Sequence, residues 1–279
     1  MKMIVKERDI AAYTAALRRE ERAEGTIEQY CRTLRAFSAW LCDKEVTQEL
    51  LNAYKAHLSG RDYAPVTINA MLAALNSFFR FEHWPLRAKF LKVQRRLFRD
   101  AERELTRPEY QRLLGAAEKL GRGRLALLME TICATGIRVS EVCYITVEAA
   151  RQGRTEIAMK GKIRTILLPQ KLCCKLLKCA KQQNIASGEI FLTKGGKGMT
   201  RRQIWYEMKQ LYREAHVDPK KIFPHNLRHL FATVYYRACK DIAQLADVLG
   251  HSSIETTRIY LITSGTEYRR QMDRLRLVQ

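Results

Sequence analysis

Residues able to do chemistry cluster in the second half of the chain. His225-Asn226-Leu227-Arg228 spaces an imidazole and a guanidinium three apart, side by side on one face of a helix. A guanidinium presents a planar fork of donors matched to phosphate, and an imidazole gives or takes a proton near neutrality. Arg138 follows a Thr135-Gly136 break and precedes Glu141 by three residues. That spacing suits a phosphate-holding arginine oriented by a carboxylate, and equally a surface ion pair worth little. His251 comes directly after Gly250, and Tyr260 lies nine residues later. Taken singly, His225 and Arg228 fit a surface pair and Tyr260 an amphipathic core edge. Lys160, in a tight Lys160-Gly161-Lys162 turn, adds another cation. No acidic cluster accompanies the histidines as a metal-dependent nuclease would require.

The elements that must position these residues follow from periodicity. Stripes at Ile10, Tyr13 and Leu17, then Ile27 to Leu41, Leu50 to Leu58, and Ile68 to Phe79 after Pro65 predict four short helices in a small bundle. Thr26-x-x-Gln29 is read as the capping box opening the second of them. Thr106, with Pro108 and Glu109, caps a new helix. Residues 124–134 are helical up to the Thr135-Gly136 break, and another helix is expected near Ser140. Residues 154–168 alternate as a β-hairpin. Helices are expected over 170–183, 201–215, 225–238, 241–249, 253–261 (opened by Ser252-x-x-Glu255) and about 266–276. The fold class is therefore mainly α with a small β-hairpin, in two domains: a helical bundle over 1–96 and a mixed α+β domain over 106–279. The charged stretch 97–105 is the linker.

Charge narrows the partner. The 279 residues carry 50 Lys plus Arg against 29 Asp plus Glu, a formal +21. Residues 1–100 hold 18 basic and 12 acidic side chains, and the remainder 32 and 17, so both parts are basic. Hydrophobic residues make up 47%, a globular composition rather than a disordered basic tail. Self-repulsion of this size in a folded chain points to a polyanion, most simply nucleic acid. No helix concentrates bases opposite a bulky apolar face, and no run reaches spanning length, so a membrane partner is not expected. The start lacks the apolar core of a signal peptide. Eight cysteines without a Cys-x-x-Cys pair read as buried, reduced thiols of a cytoplasmic protein.

In combination these fragments resemble the tyrosine recombinases, or phage integrases. The resemblance rests on Ala134-Thr135-Gly136-Ile137-Arg138-Val139-Ser140-Glu141 and Pro224-His225-Asn226-Leu227-Arg228-His229-Leu230-Phe231-Ala232. It continues in Leu249-Gly250-His251-Ser252-Ser253 and Thr256-Thr257-Arg258-Ile259-Tyr260. It implies a SAM-like core-binding domain before the catalytic domain, and a metal-free, cofactor-free DNA strand exchange through a 3′-phosphotyrosyl intermediate. The implied set is Arg138, Lys160, His225, Arg228, His251 and Tyr260, with Tyr260 the nucleophile. Glu141 supports the first arginine, and His229 serves as a helix-packing hydrogen-bond donor. The compressed turn departs from the family's longer glycine-containing one: Lys160 fits from the lysine side and Lys162 from Pro169, with Lys160 preferred on hairpin register.

The resemblance further implies double-stranded DNA as partner, clamped by two lobes, and a homo-tetramer in the synaptic complex from protomers that are monomers when free. Segment 261–279 is expected to dock on a neighbour, and the layout is the compact, Xer-like one without an extra N-terminal module. A type IB-like topoisomerase would use the same chemistry as a monomer. A catalytically inactive DNA-binding regulator is the alternative from another class, and the complete cationic set argues against it.

Overall fold

The computed structural model describes residues 3–93, 101–159, 162–251, 253–260, 269 and 272–275. The chain divides into two compact units, Met1–Arg95 and Arg96–Gln279.

The first unit holds the four expected helices: α1 (Glu7–Arg19), α2 (Glu24–Leu41), α3 (Gln48–Ser59) and α4 (Pro65–Phe81). Their stripes meet in one core, where Leu34, Phe37, Leu51, Leu72, Phe78 and Phe79 are buried. The aromatic stripes are thus core, with Phe37 centred 4.8 Å from the Tyr54 ring and 6.2 Å from Phe79. The start of α2 corrects the sequence reading. The Ala23 carbonyl already accepts from the Thr26 and Ile27 N–H groups, so the helix opens at Glu24 and Thr26 lies in its first turn. Glu24 places a carboxylate at the positive end of the helix, so no hydroxyl cap is required.

Beyond α4 the chain is tied down by two asparagines. Asn76 donates to the Ala88 carbonyl at 2.9 Å and accepts its N–H at 2.8 Å. Asn69 does the same to Leu91, at 2.9 and 2.7 Å. Each amide imitates a strand partner and satisfies a backbone that has no sheet. Asn76→Ala should therefore cost the first unit about 1–3 kcal/mol in urea unfolding. Asn76→Asp, which sets a carboxylate oxygen against the Ala88 carbonyl where the amide donated, should cost at least as much.

In the second unit, Thr106 and Glu109 form the expected capping box ahead of α5 (Arg107–Lys119). This unit's packing begins earlier: Leu105 is buried in its core, and the Arg103 carbonyl accepts from Asn226 at 2.8 Å. Of the stretch read as linker, residues 97–100 lie outside the described residues, and Ala101–Arg103 is a 3-10 turn. Helix α6 (Gly123–Thr135) is the central element, packed on α5, on α8 (Gln170–Gln182) and on α11 (Pro224–Cys239). It stops at Gly136, whose φ is +66°. A Cβ there would collide with the Phe231 ring, so the break needs glycine twice over.

The helix expected near Ser140 is instead a 3-10 turn, Val139–Tyr144, followed by α7 (Val147–Gln152) under a Thr146 cap. Strands β1 (Arg154–Met159) and β2 (Lys162–Leu167) form the expected antiparallel hairpin, in register from Arg154↔Leu167 to Met159↔Lys162. Lys160 and Gly161 connect the last pair and lie outside the described residues.

The single helix expected over 201–215 is two, α9 (Arg201–Lys209) and α10 (Tyr212–Ala215). The Leu211 N–H bonds back only three residues, to Met208, as both side chains sink into the core. Helix α12 (Ile242–Leu249) is capped by Asp241 and ends at Gly250. The stretch expected over 253–261 is a single turn, α13 (Ile254–Thr257), capped by Ser253 rather than Ser252, and then a 3-10 turn, Arg258–Tyr260. Of the last expected helix, residues 269 and 272–274 are helical, and its other residues lie outside the described ones.

All eight cysteines are free thiols, but not all are buried as expected: Cys42, Cys143, Cys174 and Cys239 face solvent. Among the described residues no helix is long and apolar enough to cross a membrane.

Candidate active site

The site is built around a buried carboxylate. Glu141 is 2% exposed, in the 3-10 turn that follows Arg138. One of its oxygens accepts from Arg138 Nη1 at 2.8 Å. The other accepts from the Arg138 backbone N–H at 2.7 Å and from Arg164 Nη2 at 3.1 Å. The tight turn thus fixes Arg138 at backbone and side chain together, which an ordinary surface ion pair would not do. The Arg138 side chain remains 41% exposed, so its guanidinium reaches solvent from a rigid base.

Arg228 comes from the first turns of α11, which enters through Pro224. It is 2% exposed, and its guanidinium donates to the Gly136 carbonyl, to the Leu249 carbonyl at 2.8 Å and to His251 Nε2 at 3.0 Å. Gly136 and Gly250 end α6 and α12, so the carbonyls that receive Arg228 belong to two helix ends that the sequence marks with glycine. Burial, then the neighbouring Arg138 charge, lowers the Arg228 pKa, while Tyr260 opposes this by charge and by a hydrogen bond. Among the described residues no carboxylate pairs directly with Arg228.

His251 accepts from Arg228 at Nε2, since a guanidinium only donates; its proton is therefore on Nδ1, given to Thr257 Oγ1 at 2.8 Å. Burial, and then Arg228, Arg138 and Arg164, push its pKa down to about 4 from 6.5. The ring is a neutral acceptor here, whereas the family resemblance implies a donor to phosphate. A donor role needs the Nε2 proton. His225 sits at the rim, with its pKa lowered by partial burial and then by Arg228 and Arg138.

The unfolded chain protonates His251 near pH 6.5, the folded chain only near 4, so its contribution is present above about 6.5 and lost as pH falls towards 4. Urea unfolding at pH 7 and pH 5 should show a smaller acid loss of stability in His251→Gln than in the parent chain.

Tyr260 is 4% exposed, packed with Ala232, Leu245 and Leu249 in a small cluster of its own. Its ring lies edge-on to His229 at 4.5 Å and stacked on His251 at 5.9 Å. His229 in turn meets His225 at 5.9 Å, so His229 is the ring next to Tyr260 on this helix. Arg138, Glu141, Arg228, His251 and Tyr260 thus converge, with His225 and His229 along the same edge. Lys160 lies outside the described residues, and Lys162 is placed only as the first residue of β2.

Two residues of the cluster, Arg164 and Thr257, had no role assigned from sequence. Arg164 is two residues before the buried Ile166 in β2, so strand alternation sets it on the inward face, a signal that was available. Burial lowers its pKa to about 10, against the pull of Glu141. The ensemble is three guanidiniums around one carboxylate, a centre with net positive charge in partly desolvated surroundings. Among the described residues, no three His, Cys, Asp or Glu side chains gather so as to hold a metal ion.

Residues 103–265 match the phage integrase family, and residues 10–84 the phage integrase N-terminal SAM-like domain. The tyrosine recombinase XerC of Roseiflexus castenholzii is 30% identical, over 93% of this chain and 86% of its own. The tyrosine recombinase XerA of Thermococcus kodakarensis is 27% identical, over 93% of this chain and 92% of its own. Among solved structures, the Tn1549 transposon integrase in complex with transposon right end DNA superposes with a TM-score of 0.72, covering 96% of this chain and 99% of that one. At 17% identity that likeness speaks for the fold.

Proposed function

The chain belongs to the phage integrase family and is a site-specific DNA recombinase, and we propose that it works on double-stranded DNA with Tyr260 as its nucleophile. The observation that carries the residue assignment is the buried Arg228 cation, held by carbonyls and hydrogen-bonded to Tyr260, with no carboxylate paired to it among the described residues. A buried cation without a direct counter-charge is costly. A phosphodiester entering beside Arg138 would supply that charge and bring phosphorus to the phenol.

The Tyr260 oxygen attacks phosphorus, the bond to the 5′ oxygen breaks, and a 3′-phosphotyrosyl bond conserves the energy for rejoining. Arg138 and Arg228 hold the non-bridging oxygens and stabilise charge in the transition state. His225 takes the tyrosine proton or donates to the phosphate, with His229 packed against the Tyr260 ring. His251 joins the phosphate contacts once its Nε2 is protonated. Lys160 gives the proton to the departing 5′ oxygen. No metal or other cofactor enters this scheme, because guanidiniums and an ammonium supply every cation it needs.

In this reading residues 1–96 are the core-binding domain, 97–105 the linker and 106–279 the catalytic domain. The chain is a monomer when free and a tetramer in synapsis, where 261–279 docks on a neighbour. The DNA-bound state of the Tn1549 integrase and the basic charge of both parts support the duplex as partner. The test is covalent capture: a pool of nicked duplexes with randomised cores, incubated in excess chelator, should yield a denaturation-resistant adduct. Its peptide should map to Tyr260. An adduct on another tyrosine, or none without added magnesium, would refute the assignment.

A further inference from the structure

Arg164 ties the hairpin to the site. Arg164, 12% exposed, donates from Nη2 to Glu141 at 3.1 Å and from Nη1 to the Leu249 carbonyl. That carbonyl also accepts from Arg228 Nη2 at 2.8 Å, and the other Glu141 oxygen takes Arg138 Nη1 at 2.8 Å. One guanidinium therefore joins the carboxylate that aims Arg138 to the carbonyl that holds Arg228. The chain makes room for it at Gly250, where φ is +64° and any Cβ would collide with the Arg164 side chain. The end of α12 at Gly250 is thereby tied to the hairpin.

We propose that Arg164 is a positioning residue of the recombination site, fixing Glu141 and the Leu249–Gly250 turn so that Arg138 and Arg228 converge on one phosphate. The proposal rests on the reading of those two arginines given above. Arg164 spends its Nη donors on protein acceptors, so it acts through Glu141 and Leu249. A lysine would keep the charge and lose the fork that spans both acceptors.

The experiment measures single-turnover cleavage of a nicked duplex whose site was recovered by covalent capture on the parent chain. The same duplex is made with a neutral methylphosphonate at the scissile position. A neutral centre needs less cationic stabilisation, so a defect in aiming the arginines shrinks on it, whereas general damage to the fold persists. Arg164→Ala should lose about tenfold or more of the cleavage rate on the ordinary duplex, less than the roughly 10²–10³ expected for a donor on the reacting group itself. The affinity for the duplex should hold, and the loss should fall severalfold on the methylphosphonate.

Arg164→Lys should lie between, and it carries the test if the alanine variant fails to fold. In a Glu141→Gln background, Arg164→Ala should cost less than it does in the parent chain, because one of its two anchors is already gone and only the Leu249 arm is left to lose. Equal losses on both duplexes, additive losses with Glu141→Gln, or a parent-like rate would overturn the proposal. Absence of any adduct from the parent chain would instead overturn the proposed function.

Discussion

Tyr260→Phe will leave duplex binding intact and remove the covalent adduct, a loss of more than about 10⁴-fold in cleavage. The substitution deletes one oxygen and nothing else. The ring stays between His229 and His251, centred 4.5 and 5.9 Å away, and remains packed on Ala232, Leu245 and Leu249. What goes is the proposed attacking atom and a hydrogen bond with Arg228, whose loss costs about 1 kcal/mol of stability. Phosphate contacts made by Arg138 and Arg228 persist, so a gel-shift titration should give a dissociation constant within a few fold of the parent's. Denaturing electrophoresis after incubation with the nicked duplex should show no shifted band. A band of parental intensity would move the nucleophile to another residue, and loss of binding alongside cleavage would make Tyr260 a structural residue.

The core-edge placement of Tyr260 suggested by the sequence is present. A 3-10 turn carries the ring against α11 and α12, and its hydroxyl is hydrogen-bonded to Arg228. The fragments of the site were legible because each is local: Arg138 and Glu141 are three apart, His225 and Arg228 three apart, and Gly250 precedes His251 directly. Their partners were not. Arg164 meets Glu141 and Leu249 across 23 and 85 residues, and Arg228 meets Gly136 across 92, separations over which periodicity carries no information.

Element types survive for the same local reason: hydrophobic stripes marked α1 to α4 and alternation marked the hairpin, although Lys162, read as part of the turn, pairs with Met159 at the head of β2. Boundaries suffered where tertiary packing competes with propensity. Leu211 tightens its turn to reach the core and splits α9 from α10, and the 3-10 turn after Arg138 replaces a helix so that Glu141 can bond three ways. The orientation of His251 was the least legible feature. It depends on Thr257 below it and a buried arginine above, and together they make it a neutral acceptor rather than the donor implied by resemblance.

Lys160→Ala will slow cleavage of an ordinary duplex by about 10²–10⁴-fold and recover most of that rate when the bridging 5′ oxygen is replaced by sulfur. The leaving group decides this outcome. An alkoxide is a poor one because its conjugate acid has a pKa near the ~15.7 quoted for water, so a proton must arrive as the bond to phosphorus breaks. A thiol's pKa is about 8.5, and a thiolate departs unaided. The hairpin register leaves two residues, Lys160 and Gly161, between the paired Met159 and Lys162, so the lysines differ by one being in the connection and the other heading a strand. If the connection supplies the acid, Lys162→Ala should be mildly slowed on both duplexes through lost phosphate attraction. Arg138→Ala should be slow on both, since sulfur at the bridging position leaves the non-bridging charge unchanged. Rescue of Lys162→Ala with none for Lys160→Ala would reverse the two lysines. Rescue of neither would place the proton donor on another residue, and the neutral His251 beside Arg228 could serve only after taking a proton that its surroundings resist down to about pH 4.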